Sequence, residues 1–205
     1  MEPLQKETAK DILSPYISQI QDAVKRAINN YYLNGQYSNV RHIHSARSAA
    51  SLCHDHIKAE LKQEFESTPG VSYSEKRGLF TLNIQGSVVL RFKKFNKHLM
   101  SSNIQTKQVT AYVLQQPAQL ELEEMPPYGL LHVGYVMNKL GTGIEKIYVT
   151  YRYANVNIWE WDTSENTVIQ PVLTLPNTPA ASSARRKVKA KENTTQTGDE
   201  HASNS

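Results

Sequence analysis

Two apolar runs in the second half of the chain, Gly129 to Met137 and Glu145 to Tyr153, constrain its fold more than any other feature. Both are rich in β-branched and aromatic residues, and the loop Asn138 to Gly143 between them contains glycine, so they read as neighbouring strands of a meander. A third run, Val156 to Trp161, follows the short polar turn at Ala154-Asn155. Side chains alternate along a strand, which places Trp159 and Trp161, the two tryptophans of the chain, on one face. Such a three-stranded antiparallel sheet needs an apolar layer packed on it, and the rest of the chain is expected to supply that layer.

The cover is legible upstream. From Ser14 to Asn34, Ile17, Ile20, Val24, Ala27, Ile28 and Tyr31 recur at three- and four-residue spacing, the stripe of an amphipathic helix. Ser14-Pro15 reads as its start and Asn34-Gly35 as its stop, with residues 2 to 13 forming a short helix or an extension bent at Pro15. Ser45 to Phe65 reads as a second helix, with Ala46, Ala49, Cys53, Ile57 and Leu61 on one side and Pro69-Gly70 beyond its end. Leu79 to Phe95 then changes to period two about Gly86, the pattern of a β-hairpin. A weaker helical segment covers Ile104 to Gln115, and Gln119 to Leu122 and Val168 to Leu175 offer further strands. Pro176 to Ser205 has no apolar repeat to offset its ordering entropy, and a disordered basic and polar tail is expected there. The expected fold is a single α+β domain over residues 1–175: two N-terminal helices packed on an antiparallel sheet of hairpin plus meander.

At 205 residues and 39% hydrophobic content, the chain suits one well-buried domain. It has no apolar run of membrane-spanning length and no basic-then-apolar leader, and its single cysteine, Cys53, can form no disulfide within the chain. A cytoplasmic protein without a membrane partner is expected. Half of the formal +4 charge sits in the tail, where Arg185, Arg186, Lys187, Lys189 and Lys191 face Glu192, Asp199 and Glu200. The remainder is close to neutral.

Chemistry-bearing residues are sparse. His42, His44, His54 and His56 lie near Cys53, but tetrahedral zinc needs several donors converging on one point. His54 and His56 are two apart on a helix, so they point about 200° apart, and surface histidines beside a buried cysteine are the plainer reading. The hairpin contains no Asp or Glu from which a divalent-metal nuclease site is built, Gly141-Thr142-Gly143 lacks the lysine of a phosphate loop, and no Gly-x-Ser-x-Gly occurs. These observations point away from an enzyme and call for no cofactor. Arg91, Lys93, Lys94, Lys97 and His98, interleaved with Phe92 and Phe95, form the best binding stretch: a basic strand edge with aromatics can contact phosphates and stack bases. Alternation sets Arg91 and Lys93 opposite Leu90 and Phe92, which is expected to leave their charges in solvent. Arg185, Arg186 and Lys187 would add a mobile cationic arm. Against this stands the reading that Phe92 and Phe95 are core and the lysines guard an edge strand.

At Leu90 to Phe95, Ser101-Ser102-Asn103 through Thr106-Lys107-Gln108, and Leu131 to Tyr135 with Leu140-Gly141-Thr142, the chain resembles a loose family of uncharacterised bacterial proteins carried on mobile or prophage-like regions. The likeness covers residues 75–162, and its motifs are structural rather than catalytic. It implies a bacterial cytosolic setting and a part in phage defence or toxin–antitoxin-type control. The leading expectation is a non-enzymatic regulatory protein acting through a protein partner, and the alternative is a DNA- or RNA-binding protein or nuclease accessory using residues 91–97 and the tail.

Overall fold

Six strands form one mixed sheet in sequence order, and the helices divide between its two faces. The computed structural model describes residues 3–102, 104–120 and 129–166, all within one compact unit spanning Met1–Val168. The expected strand Val168 to Leu175, the tail and its Arg185, Arg186 and Lys187 lie outside the described residues.

Helices α1 (Lys6–Leu13), α2 (Ile17–Tyr32) and α3 (Ala46–Phe65) precede the sheet. Of the two forms open to residues 2–13, the short separate helix is the one found, and it makes three helices ahead of the sheet with the two long ones. Ser14-Pro15 is a break, not a start: Ser14 closes α1 with its N–H bonded to the Lys10 carbonyl, and α2 begins after Tyr16. Proline lacks the N–H needed to carry a helix through this point. At the next helix the Ser45 side chain accepts from the Ser48 N–H and caps the start of α3. Arg26 on α2 reaches Glu60 at 2.8 Å and Glu64 at 2.6 Å on α3, fastening the outer side of the pair.

Strands β1 (Val71–Lys76), β2 (Leu79–Ile84) and β3 (Val88–Lys94) run antiparallel to one another, as do β4 (Gly129–Met137), β5 (Ile144–Tyr153) and β6 (Val156–Asp162). The two sets join through β3 and β4, which are parallel, with Val88 beside Gly129 and Lys94 beside Tyr135. The sheet is thus mixed, not antiparallel. A parallel pair needs a crossover, and α4 (Lys107–Val113) lies on it. Pro117–Leu120, where a strand was expected to begin at Gln119, is a 3-10 turn.

Leu82, Leu90, Val133 and Val149 face α2 and α3, and this side shares one core with Ile20, Val24, Ile57 and Leu61. On the opposite face Val89 and Leu130 pack with Ala111 and Tyr112 of α4 and with Leu120. Strands β3 and β4 are consequently covered on both sides, as a central parallel pair requires.

Candidate cationic face of the sheet

On the α4 side, strand alternation aligns polar residues at neighbouring register positions: Arg91 of β3 beside His132 of β4, His132 beside Thr150 of β5, and Thr150 beside Glu160 of β6. The alternation expected for β3 therefore holds, but its consequence for Arg91 does not. Arg91 is 8% exposed, because the face opposite Leu90 and Phe92 lies under α4 rather than in solvent. Lys93 is half-buried, while Lys94, Lys97 and His98 are exposed. Phe92 and Phe95 are both buried, so neither offers a ring for base stacking, and they belong to the packing of the sheet.

Tyr112 organises the centre of this face. Its hydroxyl proton is shared between the carbonyls of Val89, at 2.9 Å, and Leu131, at 2.7 Å, which pins the ring over the seam between β3 and β4. The Arg91 guanidinium lies 5.6 Å from that ring's centroid and the His132 ring 4.9 Å from it, edge to face. His132 and Thr150 are fully buried, and neither ring nitrogen of His132, nor Thr150 Oγ1, nor Arg91 Nη1 has a hydrogen-bond partner among the described residues. Burial lowers the Arg91 pKa, with Arg152 adding to the effect. Burial, then Arg152, Arg91 and Lys93, holds His132 well below the usual histidine range, so the ring is neutral. Lys93 is brought down to about 8, chiefly by burial and secondly by Arg91.

Arg152 has a different task. Its guanidinium donates to Asn157 Oδ1 at 3.1 Å, to Ser101 Oγ at 3.3 Å and to the Leu99 carbonyl at 3.0 Å, and it sits 6.0 Å from the Phe95 ring centroid. These bonds tie down the loop that leaves β3. Within it, Asn96 Oδ1 accepts from the N–H groups of His98 and Met100, and the Phe95 N–H bonds to the Tyr135 carbonyl. Gly134, beside Lys93 in register, makes room for Phe95: a Cβ there would lie 2.2 Å from the ring.

The histidines near Cys53 do not converge. His44 Nδ1 pairs with the Tyr31 hydroxyl at 2.9 Å, His56 Nε2 pairs with the Tyr37 hydroxyl at 3.1 Å, and His42 is exposed on a 3-10 turn. His54 is half-buried, and its pKa falls to about 4, first through burial and then through Lys93 and Lys58. Among the described residues no three His, Cys, Asp or Glu side chains are gathered for a metal ion. A cleft of about 420 Å³ between α2 and β5 is flanked by Lys146, whose ammonium is engaged by Asp162 at 2.7 Å.

Sequence reasoning missed His132, Thr150, Arg152 and Tyr112. The available signal was the interruption of two otherwise apolar strands by polar residues in period two, His132 within β4 and Thr150 and Arg152 within β5. No described helix is long and apolar enough to cross a membrane. No protein-family model matches the chain, and no curated protein or solved structure matches it.

Proposed function

We propose that this chain is a non-catalytic nucleic-acid-binding protein that presents the end of β3 and the following loop to phosphates. One contrast supports the reading. Arg26, Lys58, Lys62 and Lys146 each engage a carboxylate, whereas Lys93, Lys94 and Lys97 engage none among the described residues, although they follow one another along a single strand end. Cations left without partners where one strand ends attract a polyanion at little cost in reorganisation. With Phe92 and Phe95 buried, contacts run to the backbone and carry little sequence preference. Arg91, buried under α4, takes no part in this surface.

The test is fluorescence anisotropy of labelled single- and double-stranded oligonucleotides over a salt series. Wild type should show affinity falling steeply with salt, and the Lys94→Gln/Lys97→Gln variant should lower the logarithmic slope by about 1 to 2 units. Both positions are exposed, so stability should change by no more than about 0.5 kcal/mol. Wild type binding neither oligonucleotide, or a variant with unchanged affinity and slope, would overturn the reading.

A second reading keeps the chain as a regulator acting through a protein partner, in bacterial phage defence or toxin–antitoxin-type control. What favours it is apolar exposure in the segment after α2, where Leu33 is 67%, Val40 41% and Ile43 70% exposed. Replacing Leu33 and Ile43 with serine would then abolish capture of a host protein without lowering the melting temperature.

A further inference from the structure

We propose that Arg91, His132 and Thr150 form a buried oxyanion site beneath α4 that takes a phosphate group. The three residues occupy one row across three adjacent strands, so neighbouring backbones are about 5 Å apart and all three side chains rise from the same face. Two of them meet at one object, since the Arg91 guanidinium and the His132 ring both lie against Tyr112. All three carry buried polar atoms without a partner among the described residues: Arg91 Nη1, both His132 nitrogens and Thr150 Oγ1. Buried polar groups are ordinarily hydrogen-bonded, and several orphans at adjacent positions mark a place where a ligand completes the set.

The surrounding charge selects an anion. Arg152 and Lys93 both act on His132 in the same sense as Arg91, and no described carboxylate engages Arg91. Glu160, the acidic group at the far end of the row, accepts from Asn157 Nδ2 at 2.8 Å and faces Arg152, so its charge is answered there. An arginine fork, an imidazole N–H and a hydroxyl are donors that suit the several oxygens of a tetrahedral oxyanion, with the arginine supplying the compensating charge. Phe95 rests on Gly134, the next position beyond His132 on this face, and the loop behind it is held by Arg152.

This inference stands apart from the surface reading, and the experiment separates them. The full chain is titrated with sodium phosphate against sodium chloride at matched ionic strength. Melting temperature and the ring signals of the histidines in NMR are followed, the His132 signals being assigned in wild type by their nuclear Overhauser contacts with the Tyr112 ring. Wild type should show a saturable rise in melting temperature with phosphate alone, and a saturable shift of the His132 signals. Arg91→Gln and Thr150→Val should weaken apparent phosphate affinity at least tenfold, while Lys94→Gln/Lys97→Gln should leave it unchanged even though oligonucleotide binding falls. Should the buried variants fail to fold, the wild-type His132 signals decide alone. Identical responses to phosphate and chloride, or His132 signals that phosphate does not move, would overturn the site. The source of the phosphate is read by competition. A 5′-phosphorylated oligonucleotide displacing phosphate at least tenfold better than its 5′-hydroxyl counterpart supports a site for nucleic-acid ends, and equal displacement supports one for the free ion.

Discussion

Phe95 and Gly134 show how one missing methyl group sets the shape of this face. A Cβ at Gly134 would lie 2.2 to 2.3 Å from three carbons of a buried ring that has no free end to swing away. Gly134→Ala should therefore cost about 2 to 3 kcal/mol through overpacking, read from chemical denaturation, and Phe95→Leu in the same chain should recover part of the loss. A second expectation at this scale concerns pH. His54 takes its proton near pH 4 when folded and near 6.5 when unfolded, so between those values the unfolded state holds more protons and stability falls as pH drops. His132 acts in the same direction. Thermal melts should show a decline from pH 6.5 to 5 that is shallower in His54→Gln. Neither environment was legible beforehand. Period two tells which face a side chain takes, but not whether that face lies under another element, and for Arg91 the second half of the question was decisive.

At the scale of elements, what could be read depended on how strongly a segment repeats. Helices α2 and α3 carry long apolar stripes, and β2 to β6 are dense in β-branched and aromatic residues. Strand β1 was missed because Val71-Ser72-Tyr73-Ser74-Glu75-Lys76 is mostly polar. It is an edge strand, held by Glu75 to Lys58 at 3.0 Å and by the Lys62 ammonium over Tyr73. The end of α4 is fixed by contacts that no local pattern encodes. Gln115, at φ +55°, donates from Nε2 to the carbonyls of Leu130 and Arg152, both at 2.9 Å, and accepts from the Leu130 N–H at 2.8 Å. It bridges β4 and β5 as a short strand would. Gln115→Leu leaves these partly buried groups without partners and should cost about 1 to 3 kcal/mol, with faster hydrogen exchange at the Leu130 amide as the local readout.

Across the whole molecule, the parallel join of β3 to β4 places the two three-stranded sets side by side, and this could not be read from the chain because both sets look alike as meanders. The join also gives the charges their layout. Ion pairs fasten α2 to α3 and α3 to β1, while Lys93, Lys94 and Lys97 gather where β3 ends. Lys93 belongs to both the sheet and its surface: the fold lowers its pKa to about 8, against about 10.4 for an unfolded lysine. The folded state thus holds fewer protons than the unfolded state between those values, and a charged Lys93 at neutral pH opposes folding, an effect moderated by its partial exposure. Removing the charge while keeping the stem should be favourable. Lys93→Met is expected to gain on the order of 1 kcal/mol at pH 7, or about 2 to 4 °C in melting temperature for a chain of this size. It should also lose the rise in stability that wild type shows between pH 8 and 10. If the end of β3 meets phosphates, the same substitution should weaken oligonucleotide binding and reduce the logarithmic salt slope by about 0.9. A more stable variant with undiminished binding would leave Lys93 as an internal cost of the fold, and a less stable one would mean that its ammonium is better solvated than its burial implies.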